Sequence, residues 1–124
     1  PSTTLHYGFR EGLRLVLEEG LEDRWFRHQA IAEYLWDKMA TLGLQLFVSR
    51  ENRLPSLSTI CIPEGVDDVA VRTRLREAYN IDIAGGFGPL KGKIWRVGLM
   101  GFSSRRENVT LLSEALREIL HGKI

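Results

Sequence analysis

Ile81-Asp82-Ile83-Ala84-Gly85-Gly86-Phe87-Gly88-Pro89-Leu90-Lys91-Gly92-Lys93-Ile94-Trp95-Arg96-Val97-Gly98-Leu99-Met100-Gly101 is the stretch on which the fold turns. Ile81-Asp82-Ile83 alternates and reads as a very short strand. Glycines at 85, 86, 88 and 92 then mark a loop that needs positive φ at several positions. Ile94 to Leu99 is rich enough in β-branched and aromatic residues to be a strand. The loop does not match a phosphate cradle. A P-loop carries Gly five residues before its Gly-Lys pair, and Phe87 stands there; Ile94 occupies the place of the Ser or Thr. The dinucleotide pattern fails as well, because after Gly86 and Gly88 its third glycine falls on Lys91. Strand alternation puts Ile94, Arg96 and Gly98 on one face and Trp95, Val97 and Leu99 on the other. A lone arginine in such a strand either faces water or has a partner. Its planar guanidinium binds a carboxylate bidentately and stays charged near neutral pH, so Arg96 is the candidate binding residue.

Working outward, Asp67-Asp68 opens a helix with Val71, Leu75, Ala78 and Tyr79 inward. Before it, Leu57 to Ile62 alternates and is a strand, and Leu44 to Val48 is a shorter strand candidate. After the decisive stretch, Ser104-Arg105-Arg106-Glu107 fits a capping box. It leads a helix that buries Val109, Leu112, Leu116, Ile119 and Leu120. At the chain start, Thr3 or Thr4 can cap a helix striped by Leu5, Phe9, Leu13, Val16 and Leu17. Gly20 ends it. A second helix, from Leu21 to about Leu42, buries Trp25, Ile31, Tyr34, Leu35, Met39 and Leu42. The order is therefore α-α-β-β-α-β-β-α: an α/β (α+β) two-layer fold, a split β-α-β unit preceded by two helices.

The 124 residues suit one domain, with 44% hydrophobic and 27% charged residues. Seventeen basic and sixteen acidic side chains leave +1, so no basic arm calls for nucleic acid or an anionic membrane. No apolar run spans a bilayer. One cysteine, Cys61, excludes an internal disulfide, and His6, His28 and His121 have no ligand neighbour at metal spacing. The expectation is one soluble intracellular domain with no metal site. The start Pro1-Ser2-Thr3-Thr4 is that of a piece of a longer protein, or of a chain trimmed of its initiator Met.

The 81–101 stretch closely resembles the alanine–glyoxylate and serine–pyruvate (serine–glyoxylate) aminotransferases, class V members of the fold-type I pyridoxal-phosphate enzymes. Tyr7-Gly8-Phe9-Arg10-Glu11, Glu19-Gly20-Leu21-Glu22, Leu42 to Val48, Arg53-Leu54-Pro55 and Arg106-Glu107-Asn108-Val109 resemble that family in the same register. Trp95, bulky beside Arg96, is expected to alter how that strand packs. The resemblance implies a part only: residues 1–124 as the C-terminal (small) domain, with 1–42 as the helical connection from a missing N-terminal large domain. It implies a transaminase moving an amino group from alanine or serine to a 2-oxo acid such as glyoxylate, as a homodimer; Gly122-Lys123-Ile124 is not a peroxisomal address of the Ser-Lys-Leu type, so the expected location is cytoplasmic. Arg96 matches the arginine that holds the substrate carboxylate. No catalytic or cofactor-binding residue carries over, because the family's Schiff-base lysine follows Ser-x-Lys. Lys38, Lys91, Lys93 and Lys123 are the chain's lysines, and none has that context. Pyridoxal phosphate is thus expected in the complete enzyme and not on this part alone. The alternative is a stand-alone split β-α-β small-molecule-binding or regulatory module.

Overall fold

The computed structural model describes residues 1–121. Its elements are α1 (Thr3–Glu19), α2 (Leu21–Thr41), β1 (Leu57–Cys61), α3 (Asp68–Tyr79), β2 (Ala84–Gly85), β3 (Ile94–Gly98) and α4 (Arg106–Ile119). The sheet order is β1-β3-β2, and both outer strands run antiparallel to β3. The connection β1-α3-β2 therefore straddles β3, which is the split β-α-β arrangement. The order is one strand shorter than the sequence suggests. Residues 44–48 make only a single bridge, Leu46 to Ile60, on the free edge of β1. The Phe47 N–H donates to Thr59 and the Cys61 N–H to Gln45, and then the chain bends away. Residues 81–83 are not strand either. The Ile81 N–H donates to the Leu75 carbonyl at the end of α3, and pairing with β3 begins only at Ala84.

Helices cover one face of the sheet. Val109, Leu112, Ala115 and Leu116 of α4 are buried at helical spacing. They meet Ala32, Leu35, Trp36 and Met39 of α2, Val71 and Leu75 of α3, and Ile60, Trp95 and Val97 of the sheet. Each such Leu, Ile or Trp contributes on the order of 2 kcal/mol by leaving water. Trp36 Nε1 donates to Ser58 Oγ at 2.8 Å, which satisfies both buried groups. Ala78, expected inward, is exposed.

The two leading helices depart most from expectation. Trp25 is 62% exposed. Eleven residues separate it from Trp36, so both lie on nearly the same side of α2, about 16 Å apart along the axis. Trp36 sits over the sheet, and Trp25 lies beyond it. No residue of α1 is buried. Ser2, not Thr3 or Thr4, caps α1 by accepting from the Leu5 N–H. At Gly20, φ is +86°, which lets the chain turn from α1 into α2. Arg24 and Arg27 of α2 reach back across that elbow to Glu19. Arg27 also donates to the carbonyls of Gly101 and Ser104 at 3.0 and 2.7 Å.

The expected capping box at Ser104 does not form. The helix starts at Arg106, Arg105 holds the cap position, and no side chain caps it. Ser104 Oγ is buried with no hydrogen-bond partner among the described residues. Ser103 Oγ instead closes the turn at Met100. Among the described residues, no helix is long and apolar enough to cross a membrane.

Candidate functional site

Arg96 lies on β3, the strand that is hydrogen-bonded on both sides. Its register partners are Thr59 on β1 and Ala84 on β2, so the three side chains share a face. That face is the one opposite Trp95 and Val97, away from the helical layer. Arg96 is half-buried. Its Nε donates to the Gly85 carbonyl at 2.8 Å. The Phe87 ring centroid is 5.2 Å from the guanidinium carbon, within cation–π range. Among the described residues Arg96 forms no ion pair, and its two terminal nitrogens have no hydrogen-bond partner. Thr59 Oγ1, directly across from it, is also buried without a partner among them. A cavity of about 140 Å³ borders Thr59 and is lined by Leu46, Val48, Arg53, Leu54 and Leu57. A planar cation with two uncommitted terminal nitrogens suits a small carboxylate, which accepts from both.

Behind Gly85, on the helical side, lies a group that the sequence reading did not pick out. Arg72 grips Asp68 with Nε at 2.8 Å and Nη2 at 3.2 Å. The indole Nε1 of the fully buried Trp95 donates to the same carboxylate at 3.0 Å. The Arg72 hydrogen bonds hold the Asp68 carboxyl below the usual range; burial opposes this and the Trp95 N–H assists. The Asp68–Arg72 spacing of four was visible in the sequence as a helical ion pair. That Trp95 joins it depends on the tertiary fold.

The glycine loop has two distinct devices. Gly88 and Gly92 have φ of +55° and +74°, which side chains rarely adopt. At Gly86 the need is space: an added β-carbon would lie 2.1 Å from the Leu90 carbonyl oxygen and 3.0 Å from Ile94 Cγ1. The loop thereby covers Ile94 on the Arg96 face. The remaining candidates do not join Arg96. Lys38 stacks on Tyr34 of its own helix. Lys91 and Lys93 are exposed at the turn, and Lys123 lies outside the described residues. None of the three described lysines, Lys38, Lys91 and Lys93, is buried, so the described residues do not by themselves fit pyridoxal phosphate. His28 Nδ1 donates to the Arg24 carbonyl, and its Nε2 accepts from the Gly101 N–H, a docking role. Cys61 is a half-buried free thiol. No described cluster of His, Cys, Asp or Glu could hold a metal.

No family model matches the chain. It is 47% identical over 115 residues to an alanine–glyoxylate aminotransferase of Callithrix jacchus, covering 92% of this chain and 28% of that protein. It is 44% identical over 119 residues to an (S)-ureidoglycine–glyoxylate transaminase of Bacillus subtilis, 96% of this chain and 29% of the relative. Among solved structures, an alanine–glyoxylate aminotransferase from Nostoc sp. superposes with a TM-score of 0.93 at 53% identity, over 94% of this chain and 31% of that one. The chain spans less than a third of these relatives' length and is homologous to their C-terminal part.

Proposed function

We propose, from this homology to the C-terminal part of the glyoxylate aminotransferases, that the chain is the C-terminal domain of a transaminase. The complete protein would move an amino group from alanine or serine to a 2-oxo acid such as glyoxylate. Homologous aminotransferases are pyridoxal-phosphate enzymes. The cofactor and its lysine belong, in this reading, to the part that precedes residue 1. Residues 1–42 then connect the two parts, and the complete protein is a cytoplasmic homodimer. The exposed apolar side chains of α1 and of the first half of α2 support the connection: Phe9, Leu17, Trp25 and Phe26 lie uncovered.

The observation that carries the reading is Arg96. Amino donor and 2-oxo acceptor share a carboxylate and the reacting carbon. A cation that holds the carboxylate fixes the carbon beside it in one orientation, and correct orientation lowers the barrier. Nε is already committed to Gly85. The Nη1–Nη2 edge therefore remains for the two carboxylate oxygens, an end-on fork.

The test is steady-state kinetics on the full-length protein. Two hydrogen bonds to a charged group contribute about 1.5–3 kcal/mol each. Arg96→Ala should lower kcat/KM by about a hundredfold or more, for every donor and acceptor. Cofactor absorption should stay normal. Arg96→Lys should not restore the rate, because an ammonium cannot present a planar fork. A kcat/KM within about threefold of wild type, under 1 kcal/mol, would remove Arg96 from the site.

A further inference from the structure

The two-residue strand β2 has side chains packed behind it in addition to its own short pairing. Its ladder consists of Ala84 against Arg96 and Gly85 against Trp95, followed by the Gly86 N–H to the Ile94 carbonyl at 3.0 Å. Among the described residues, no strand lies on its outer edge. Yet its Gly85 carbonyl is the stop against which Arg96 Nε rests. The missing support is on the helical side. A β-carbon at Gly85 would meet the Arg72 guanidinium and Asp68 Oδ2 at 3.3 Å, so the ion pair is packed directly against the strand. The Asp68 side chain is 13% exposed, and its carboxylate takes three donors. Two come from Arg72, and the third comes from Trp95, the residue preceding Arg96 in β3.

We propose that Asp68 is a positioning residue for Arg96, acting with Arg72 and Trp95 through the backbone of Gly85. The inference rests on the assignment of Arg96 to the substrate carboxylate. Asp68 lies behind the sheet, on the Trp95 side, while Arg96 rises from the opposite face. It therefore cannot touch a carboxylate held by Arg96. What it does is join the start of α3, the back of β2 and the side chain next to Arg96 at one carboxylate. Without it, Arg72 loses its partner, the Trp95 N–H is left buried without an acceptor, and the Gly85 carbonyl is free to drift. The guanidinium then keeps its charge and loses its fixed direction.

The test is a double-mutant cycle in the full-length protein: Asp68→Ala with Arg96 present, and Asp68→Ala in the Arg96→Ala background. With Arg96 present, kcat/KM for donor and acceptor should fall about fivefold or more, with kcat carrying part of the fall because orientation is lost, and cofactor absorption should stay normal. In the Arg96→Ala background the same substitution should change kcat/KM by less than about twofold, since the residue it positions is gone. An equal loss in both backgrounds would make Asp68 a general stabiliser and overturn the proposal. Asp68→Asn is the second variant should Asp68→Ala not fold. It keeps an acceptor for Trp95 and discharges the pair, so its smaller fall in kcat/KM must also vanish without Arg96; a fall that persists, or none at all, overturns the proposal equally. Failure of the underlying assignment is read separately, from Arg96→Ala alone.

Discussion

Asp68 and Glu19 are two carboxylates that this fold lowers through neighbouring arginines, the first within α3 and the second across the Gly20 elbow. Arg27 hydrogen bonds push Glu19 down to about 2, with burial opposing and Arg24 adding to the effect. Arg72 acts likewise on Asp68. A lowered carboxyl binds its proton less readily in the folded chain than in the unfolded one. Its contribution is thus complete above the unfolded value, about 4, and is lost as pH falls toward the folded one. The urea midpoint should hold steady from pH 7 to about 5 and then fall. Glu19→Gln and Asp68→Asn should each lower the plateau and flatten the fall. Variants that shift the curve without flattening it would show that neither carboxylate is the group being protonated. Arg96 was legible at this scale because a charge inside an apolar strand stands out in one dimension. The Trp95–Asp68 bond was not, because 27 residues separate its partners and no periodicity links them.

Among the elements, α1 and α4 are opposites. Both carry an apolar stripe readable from the sequence, but α4 buries Val109, Leu112, Ala115 and Leu116 while α1 buries nothing. Seventeen residues are close to the length at which a lone helix in water is marginal. What holds α1 is its ion pairs and the Gly20 elbow. In this chain by itself, amides of residues 7–17 should exchange at least about a hundredfold faster than those of 109–116. Equal protection in a monomer would mean that α1 packs on something. The strand errors have local causes. Leu44 to Val48 has strand composition, but one bridge is all that the bend after Leu46 permits. Ile81 is spent on closing α3 after Asn80, whose φ is +54°, and Ile83 faces the core. Ser104 had capping chemistry, yet the helix began two residues later, and its hydroxyl was left inside.

At the scale of the molecule, the apolar side chains divide into a packed core and an uncovered flank. Phe9, Leu17, Trp25 and Phe26 lie exposed along α1 and the start of α2. A groove lined by Trp25, Phe26, His28 and Pro55 adjoins them. Large apolar side chains exposed in this number associate in water. The chain alone should therefore sediment with a mass that rises with concentration, and Trp25→Ser with Phe26→Ser should return it to a monomer. A monomer at every concentration would show that the flank is not adhesive. The core was legible from stripes; which stripe stays bare was not, since the sequence pattern of a covered face and of an uncovered one is the same.

The central position of β3 also bears on time. Arg96 is fastened through both neighbouring strands, at Nε, and against Phe87. Its rotamer search ends when the chain folds. Any swing of this domain as one body against the rest of a longer protein would carry the charge in an unchanged attitude. The entropy of aiming it would then be spent once per molecule, during folding, rather than once per turnover.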